Sequence, residues 1–387
     1  MKHNLTVVYI ITKLELGGAQ KVCLQLFKNL GDSSIKTVLI SGTTGTLVPT
    51  VKDNPHALLL ESMTREVSAF GLFSEIKNFF ILIQTLKKLK HDNPTIIVHT
   101  HSTKAGIIGR WAAFFAGIPQ RVHTIHGYAF HAHQNKLIWC ILYSIELLTS
   151  LITTHFICVS SYDVALGKKL FPRFRKKYSI IRAAIDWQQF SQEKLNQKNI
   201  TPDNLIYTQK DPFIFGTIAC FKPQKNVLDL LKAFNKVYQQ CPHARLEIIG
   251  DGVQRTPIEL YIQENNLTTA VTLHGWQKTV APLMINWHAF VLSSLWEGLP
   301  CAVVEARLLK LPVISYITGG IPDIIQDQTN GLLCDQKDWD HLAENMLKLI
   351  TNKTLYTQLH DYTDNLAEFN DTYMSQAHAH LYHKLHR

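Results

Sequence analysis

The sequence predicts an α/β protein with two doubly wound domains, each built on a parallel sheet that lies between layers of helices. Strand-length apolar runs alternate with longer helical patterns along the whole chain, and such alternation is typical of parallel sheets. A chain of 387 residues is also longer than a single hydrophobic core usually supports. A polar stretch near the middle interrupts the alternation, so we expect one domain on each side of it.

The first half of the chain carries regularly spaced strand patterns with helical patterns after them. The strands are predicted at 5–11, 35–40, 95–100, 121–126 and 155–160, and the helices at 19–30, 104–116 and 136–152. The first apolar run is too short and too β-branched for a secretory signal peptide. Segment 137–152 is strongly apolar but contains Glu146 and is short for a membrane span. We expect a buried helix there, or one whose apolar face lies on a bilayer surface.

The second half repeats the alternation after the polar stretch at 197–211. The strands are predicted at 212–220, 244–250, 270–275, 288–294 and 311–316, and the helices at 226–239, 254–265 and 301–310. Pro202 and several Asn and Gln residues make the polar stretch typical of an interdomain linker. We therefore predict an N-terminal domain at 1–190, a second domain at 191–365 and a final helix at 366–387 that packs back on the N-terminal domain.

Cysteine and charge content limit the compartment and the partners. The seven cysteines are scattered without a C-x-x-C pair, which argues against a disulfide framework or a zinc site and favours a reducing cytoplasm. Residues 1–190 carry 22 Lys and Arg against 10 Asp and Glu, a net charge of +12, whereas residues 191–387 carry 17 against 20. The basic half is expected to meet nucleic acid, anionic lipid or a phosphate-bearing substrate.

Two glutamates, Glu297 and Glu305, give the strongest candidate site. Glu297 opens the sequence EGLP, which follows a predicted strand and precedes a predicted helix with Pro300 in its first turn. Ligands of open parallel sheets bind at the carboxyl ends of the strands, where a carboxylate can accept hydrogen bonds from sugar hydroxyls. A structural alternative is a first-turn glutamate that interacts with the helix dipole and a second glutamate on a solvated face.

Lysines and glycines occupy other loops between predicted strands and helices. Lys222 and Lys225 lie where positive charge can stabilise a departing diphosphate, although two solvated surface lysines would give the same pattern. Gly17 and Gly18 lack the third glycine of a dinucleotide fingerprint, so they indicate either a ligand close to the backbone or a plain turn. The GDG segment at 250–252 also follows a strand and is weak on its own.

Histidines cluster after two predicted strands, in HTHSTKAG at 99–106 and in HTIHGYAFHAH at 123–133. His126 is followed by a glycine and is positioned to approach a reacting sugar. A zinc site would need a rigid ligand set that usually includes a carboxylate or a cysteine. A structural or surface role is therefore expected for most of these histidines.

Taken in order, these segments resemble those of glycosyltransferase family 4, retaining enzymes of GT-B architecture, and the similarity covers nearly the whole chain. The segments that carry it are GGAQ, HTHSTKAGIIGR, HTIHGYAFH, ICVSS, KPQKN, GDG, EGLPCAVVEA and GGIPDII with the Asn-Gly that follows. The resemblance implies two Rossmann-like domains facing a cleft, the first binding the acceptor and the second a nucleotide-sugar. It also points to bacterial enzymes of capsule, exopolysaccharide and lipopolysaccharide assembly.

The resemblance implies roles for individual residues. It assigns Glu297 to the donor-sugar hydroxyls, Lys225 to the diphosphate and His126 to the region of the donor sugar, so these three are the predicted catalytic residues. The implied donor-binding residues are Gly17, Gly18, Lys222, Gly250, Asp251, Gly252, Gly298, Leu299, Pro300 and Glu305, the last of them at the ribose. Catalysis is expected without a metal or other cofactor, the leaving phosphate taking the acceptor proton on the same face.

The acceptor and a membrane surface are expected to meet the basic N-terminal domain. The residues predicted to contact them are His101, Lys104, Lys168, Lys169, Arg173 and Arg175. In GKKLFPRFRKK at 167–177, Phe171 and Phe174 alternate with cations as they would on a surface that touches anionic lipid.

Two positions depart from the family pattern. Cys220 stands where the family often has an arginine five residues before the loop lysine, and we expect Lys222 to supply that charge. The loop Arg182-Ala183-Ala184-Ile185-Asp186 replaces the common N-G-[VI]-D, so no role is predicted for it.

The predicted function is transfer of a sugar, an N-acetylhexosamine or a related hexose, from a UDP-linked donor to a lipid-linked saccharide in cell-surface polysaccharide or lipopolysaccharide synthesis. The protein is expected to be cytoplasmic and peripheral on the inner face of the cell membrane. Two alternatives stay open at this point: a sugar-nucleotide 2-epimerase of the same fold, and a non-catalytic scaffold that binds membrane or nucleic acid. The basic N-terminal half favours the transferase, because an epimerase needs no acceptor, and no DNA- or RNA-binding module is recognisable.

Overall fold

The chain forms two compact units in the computed structural model, which describes residues 5–31, 35–61, 63, 72–196 and 212–386. The first unit comprises Met1–Ala184 together with Glu368–Arg387, and the second comprises Ile185–Ala367. The division falls before the predicted boundary at residue 190, because the helix Trp187–Asn196 packs against helices of the second unit. The polar stretch 197–211, predicted as the linker, lies outside the described residues.

The first unit is built on a parallel sheet of seven strands in the order β3-β2-β1-β4-β5-β6-β7. The strands are β1 (Leu5–Ile10), β2 (Ile35–Ser41), β3 (Ala57–Leu59), β4 (Ile96–Thr100), β5 (Gln120–Ile125), β6 (His155–Cys158) and β7 (Tyr178–Ile180). Every residue of β1 and of β4 is buried, as expected for central strands covered on both faces. This explains why these strands read as continuous apolar runs instead of alternating ones.

Helices flank this sheet and supply much of its core. They are α1 (Gly18–Gly31), α2 (Leu72–Asp92), α3 (Thr103–Phe115), α4 (Lys136–Ile152) and α5 (Ser161–Leu170). Arg110 on α3 is fully buried, and its Nη2 lies 2.8 Å from Oε1 of Glu146 on α4. The Glu146 that interrupts the apolar run of α4 therefore pairs with a buried cation and faces α3.

The second unit is built on a parallel sheet of six strands in the order β10-β9-β8-β11-β12-β13. The strands are β8 (Phe213–Ile218), β9 (Ala244–Ile249), β10 (Val271–Gly275), β11 (Ala289–Leu292), β12 (Val313–Tyr316) and β13 (Gly331–Cys334). The helices are α6 (Trp187–Asn196), α7 (Val227–Gln240), α8 (Arg255–Glu264), α9 (Ala281–Met284), α10 (Cys301–Leu308), α11 (Trp339–Thr351) and α12 (Lys353–Asp361). Both sheets, flanked by helices, confirm the predicted α/β fold class.

The last helix, α13 (Asp371–His386), belongs to the first unit and packs against α1. Its residues Met374, His378 and Tyr382 are buried, and the hydroxyl of Tyr382 lies 3.2 Å from that of Tyr9 on β1. The chain before α13 is fixed to the second unit, because Asp364 pairs with the buried Arg307 of α10 at 2.8 Å. The first unit is thus formed by residues from both ends of the sequence.

Candidate functional site

The clearest polar feature of the second unit is an ion pair between two loops at the carboxyl edge of its sheet. Nζ of Lys225, in the loop after β8, lies 2.5 Å from Oε1 of Glu297, in the loop after β11. The Glu297 side chain is only 8% exposed and the Lys225 side chain 21%. Because both charged groups are largely shielded from water, their attraction is stronger than that of a surface pair. The attraction holds the two side chains in contact.

Hydrogen bonds hold the two loops of this pair together. Ser293 Oγ donates to the carbonyl oxygens of Lys225 and Asn226, both at 3.0 Å. Gln224 Nε2 donates to the carbonyl of Trp296 at 2.7 Å. Because these contacts join the loops on either side of the ion pair, the geometry of Lys225 and Glu297 is set by the backbone of two neighbouring strands.

The EGLP loop rests on a second loop that follows β12. Gly319 has φ 48°, and a Cβ there would lie 2.0 Å from the carbonyl oxygen of Glu297. Only glycine fits this position. Gly320 N donates to the carbonyl of Gly298 at 2.7 Å. The segment GGIPDII carries part of the family resemblance, but no site residue was predicted in it, although its glycine pair signals such a close approach.

Helix α10 begins directly after this loop. Gly298, Leu299 and Pro300 are buried, and Pro300 occupies the N-cap position without a side-chain cap. Glu305 lies within α10 and is buried. The first amides of the helix therefore stand beside Glu297, in the arrangement that binds anions and hydroxyl oxygens.

The GDG segment at 250–252 packs on the loop that carries Lys222 and Cys220. Gly250 has φ 131°, and a Cβ there would lie 2.0 Å from the carbonyl oxygen of Ala219. Phe221 N donates to the carbonyl of Asp251 at 2.9 Å, and an Asp251 carboxylate oxygen pairs with Arg255 at 2.7 Å. Since β9, β8 and β11 are adjacent in the sheet, the loops after them form one polar edge.

The predicted residues of the first unit lie at the carboxyl edge of its own sheet. His101 follows β4 and His126 follows β5, and His101 Nδ1 lies 3.0 Å from His126 Nε2. Burial is the main cause that lowers the pKa of His126 to about 3 and that of His101 well below its usual value. Both rings are therefore neutral at pH 7. Within the described ranges, no group of His, Cys, Asp and Glu side chains is arranged to hold a metal ion.

The loop after β1 lies beside these histidines, because β1 pairs with β4. His101 N donates to the carbonyl of Ile10 at 2.9 Å, and the hydroxyls of Thr12 and Ser102 are 3.2 Å apart. Ser102 has φ 65°, a sparsely populated conformation for a residue with a Cβ. In proteins, strain of this kind is concentrated at functional sites. It therefore supports a functional role for this edge of the sheet.

Gly17 and Gly18 stand at the start of α1, and Lys104 lies in the first turn of α3. Gly17 N donates to the carbonyl of Glu15 at 2.9 Å, and Lys21 N donates to the carbonyl of Gly17 at 3.0 Å. A Cβ at Gly17 would lie 2.5 Å from Oε1 of Gln20. The glycine pair therefore makes a tight entry into α1 at the same sheet edge as the histidines.

The basic segment 167–177 differs from its prediction in one respect. Lys168, Lys169, Arg173 and Arg175 are exposed as expected. The prediction that Phe171 and Phe174 touch lipid is wrong, because both rings are buried beside Phe156 in the core. The alternation of aromatic and basic residues turns the rings inward and the cations outward, so the segment is an amphipathic edge of the domain.

An exposed apolar surface lies instead on α4. Its members, each at least 37% exposed, are Leu137, Ile138, Ile141, Ile145, Leu148 and Leu151. We call these six residues the α4 stripe. In the parts of the chain that the structure describes, no helix is long and apolar enough to cross a membrane.

Comparison with protein-family models matches both halves of the chain to sugar-transferring enzymes. Residues 16–189 match the model described as Glycosyltransferase Family 4, and residues 203–366 match Glycosyl transferases group 1. The Escherichia coli UDP-Gal:alpha-D-GlcNAc-diphosphoundecaprenol alpha-1,3-galactosyltransferase is 30% identical over 88% of this chain and 86% of its own. The Staphylococcus aureus capsular polysaccharide biosynthesis glycosyltransferase CapM is 24% identical over 76% of this chain and 75% of its own.

Solved structures give the same architecture. Anabaena HepE, solved with UDP and glucose, superimposes with a TM-score of 0.78 at 16% identity, covering 98% of this chain and 100% of its own. Sucrose-phosphate synthase from Thermosynechococcus elongatus gives 0.77 at 19% identity, covering 98% and 99%. The two sheets, together with the family matches, thus define a glycosyltransferase of GT-B architecture. The chain belongs to glycosyltransferase family 4, and this membership supports the transferase hypothesis over the epimerase and scaffold alternatives.

Proposed function

We propose that this chain is a retaining, metal-independent transferase that moves a hexose or N-acetylhexosamine from a UDP-sugar onto a lipid-linked saccharide, in the assembly of cell-surface polysaccharide or lipopolysaccharide. The observation that carries the donor half is the Lys225–Glu297 pair at the polar edge formed by the loops after β8, β9 and β11. The acceptor half is supported by the Escherichia coli relative, whose name specifies a diphosphoundecaprenol-linked sugar.

The donor side of the reaction needs a fixed positive charge. When the bond between the sugar and the diphosphate breaks, negative charge builds on the departing phosphate oxygens, and a preorganised cation stabilises it. Lys225 is that cation, and Lys222 in the same turn adds a second positive charge near Cys220. The carboxylate of Glu297 holds Lys225 in place and accepts hydrogen bonds from hydroxyls of the donor sugar.

The other donor contacts are assigned by the family resemblance. The backbone at 298–300 and the start of α10 line the sugar, Glu305 meets the ribose, and the turn at 250–252 borders the nucleotide. For the first unit, the family resemblance assigns His126 to the transferred sugar, and Gly17 and Gly18 to the phosphates. The acceptor hydroxyl attacks from the face that the diphosphate leaves, and a phosphate oxygen takes its proton, so no protein base is required.

The acceptor is held by the first unit, which carries the positive charge. A lipid diphosphate bears negative charge next to its first sugar, and Lys104 with the exposed cations at 168–175 supplies positive charge for it. His101 was also predicted to contact the acceptor, but its ring is buried and neutral, so it is not part of this proposal. Charge complementarity of this kind mainly steers and orients a substrate.

The direct test is turnover with defined substrates. Purified protein incubated with GlcNAc-diphosphoundecaprenol and, in separate reactions, UDP-galactose, UDP-glucose, UDP-GlcNAc and UDP-GalNAc should release UDP with one of the four. Mass spectrometry of the lipid product should show one added hexose or N-acetylhexosamine, and NMR should show that the donor's anomeric configuration is kept. Inverted configuration, or UDP release that does not depend on the lipid, would contradict the proposal.

The α4 stripe is the proposed contact with the inner face of the cell membrane. Glu146, the only acidic residue of α4, is buried against Arg110, so the stripe carries no negative charge. The Tyr143 hydroxyl donates to the carbonyl of Leu170, which places the exposed cations at 168–175 beside α4. An apolar helix face flanked by cations matches an anionic bilayer surface.

We expect Ile141→Gln/Leu148→Gln to weaken binding to phosphatidylglycerol-containing vesicles by roughly tenfold, because two apolar side chains no longer enter the interface. Vesicle flotation measures the bound fraction. The matched control is Leu260→Gln/Tyr373→Gln, which replaces two residues of 50% and 49% exposure on other helices, α8 and α13. Equal flotation of both double variants would place the membrane contact elsewhere, and wild-type protein that never floats would remove it altogether.

A further inference from the structure

Four imidazole rings of the first unit form a row that ends at His126. His378 of α13 stacks on His99 of β4 with ring centroids 5.7 Å apart, His99 lies 4.3 Å from His101, and His101 lies 5.3 Å from His126. We call these four residues the histidine row. His99, His101 and His378 are almost completely buried. The row therefore runs from the C-terminal helix to His126, one of the predicted catalytic residues.

The middle of the row is held rigidly. Both nitrogens of His99 are engaged, Nδ1 with the Tyr382 hydroxyl at 2.6 Å and Nε2 with the Thr124 hydroxyl at 2.7 Å. The ring of Tyr9 lies 6.1 Å from that of His101. His101 is thus confined between two aromatic rings, and its Nδ1 can bond only in the direction of His126.

The tautomers at the ends of the row follow from which nitrogens have partners. His378 Nδ1 lies 2.8 Å from the carbonyl oxygen of Met374, which can only accept a hydrogen bond. Nδ1 therefore carries the ring hydrogen, and the buried Nε2 is bare, that is, unprotonated. His101 has the same feature, a buried Nε2 without a hydrogen-bond partner among the described residues. An orphaned buried N–H is rarer in proteins than an unused acceptor, so the bare form of His101 Nε2 is favoured.

A bare Nε2 decides the direction of the bond between the two histidines. A neutral imidazole has one donor and one acceptor nitrogen. His101 then carries its hydrogen on Nδ1 and donates it to His126 Nε2. His126 in turn must carry its own hydrogen on Nδ1, the nitrogen that does not face His101.

We propose that His101 is a positioning residue: its Nδ1–H fixes the ring and tautomer of His126, so that His126 presents an N–H donor to an oxygen of the sugar substrate. This inference rests on the proposed function for the presence of a sugar at His126. The opposite tautomer would present a lone pair and would require a hydroxyl donor from the substrate. A fixed donor is preorganised and needs no rearrangement when the substrate arrives.

Ring-nitrogen NMR of histidine-labelled protein tests the tautomer directly. Long-range ¹H–¹⁵N spectra distinguish protonated from bare ring nitrogens, and the His126 signals are assigned by their loss in His126→Gln. We expect His126 of the wild type to be protonated on Nδ1, and His101→Phe, which keeps a ring but has no donor, to give a mixture of tautomers. A wild-type spectrum with the hydrogen on Nε2 of His126 would overturn the proposal without any His101 variant.

Kinetics supply a second readout. His101→Phe should lower kcat about tenfold or more with the KM for the UDP-sugar unchanged, because misplacement of a bound group affects the reaction more than the binding. His101→Asn, whose amide nitrogen can stand in for Nδ1–H, should recover most of the loss. His378→Phe, at the opposite end of the row, is the packing control and should leave the His126 spectrum as it is.

The outcomes separate this inference from the function on which it rests. Wild-type protein that shows the expected tautomer but turns over no sugar would count against the proposed function alone. Turnover that is equal in the wild type, His101→Phe and His101→Asn would count against the role of His101 alone. If His101→Phe does not fold, the wild-type spectrum and the His101→Asn kinetics still decide the question.

Discussion

Replacing Lys225 by methionine should lower kcat for sugar transfer by about a hundredfold to a thousandfold. Loss of one preorganised group that stabilises developing oxyanion charge typically costs this much, and Lys225 is the half-buried cation fixed beside Glu297. The effect is expected on kcat more than on KM, because the negative charge on the diphosphate grows as the bond to the sugar breaks. Steady-state release of UDP with the lipid acceptor in excess measures it.

The same variant also leaves the buried Glu297 carboxylate without its cation, so a loss of stability must be separated from a loss of catalysis. Lys225→Met/Glu297→Gln removes both charges and should recover most of the thermal stability, since replacing both partners is nearly neutral. It should recover no activity. If the double variant regained transfer, the pair would be a structural contact and the proposed mechanism would be wrong.

A matched control removes a different lysine–carboxylate pair. Lys236 of α7 lies 2.8 Å from Asp340 of α11 on the surface of the second unit. Lys236→Met is expected to change kcat less than twofold, because exposed pairs contribute little. If Lys236→Met lowered kcat as much as Lys225→Met does, the loss would reflect a general effect of the protein's charge on the donor and not the position of Lys225.

The fold was predictable because the strands are continuous apolar runs and the loops after them are polar. The apolar helix predicted at 136–152 coincides with α4, Lys136–Ile152. The predicted strand at 35–40 matches β2, Ile35–Ser41. The short strands β3 and β7, of three residues each, carry too little apolar pattern to be read from the sequence.

The loops that form the candidate site were predictable from the sequence, but the side-chain contacts within the site were not. Glycines and a proline marked the turns, and the rule that ligands bind at strand carboxyl ends gave their common edge. Sequence spacing could not show that Lys225 reaches Glu297, that Gly319 supports the EGLP loop, or that Phe171 and Phe174 turn inward. Those contacts depend on which strands are adjacent in the sheet and on which face of each segment packs against the rest of its domain.

The histidine row was also beyond sequence reasoning, because one member comes from the far end of the chain. His378 reaches His99 only because α13 packs on the first unit. The row gives the protein a property that neither cluster alone suggests. Several histidines of the first unit are held neutral by burial, and their protonation is coupled to folding.

Lowering the pH from 7.5 to 5 should therefore destabilise the first unit by several kcal/mol. Burial lowers the pKa of His126 to about 3 and that of His378 to about 4, and it lowers the pKa of His101 well below its usual range. In the unfolded chain these groups titrate near 6.5. Between the folded and unfolded pKa values the unfolded state binds more protons, so the free energy of unfolding falls as the pH falls.

The size of the effect follows from the number of groups. Each buried histidine contributes a slope of about 1.4 kcal/mol per pH unit below about pH 6.5, so His101, His126 and His378 contribute roughly 4 kcal/mol per unit. Burial also lowers the pKa of His99 and of His123, and both add to this slope. A typical domain is stable by only about 5–15 kcal/mol, so this slope is large.

Urea unfolding at intervals between pH 7.5 and 5 measures the slope, and limited proteolysis at each pH shows whether peptides of β4 and β5 open first. In His378→Phe one titrating ring is absent, and the slope should decrease by about 1.4 kcal/mol per pH unit. A urea midpoint that stays constant between pH 7.5 and 5 would mean that these rings are solvated and that the row does not exclude protons.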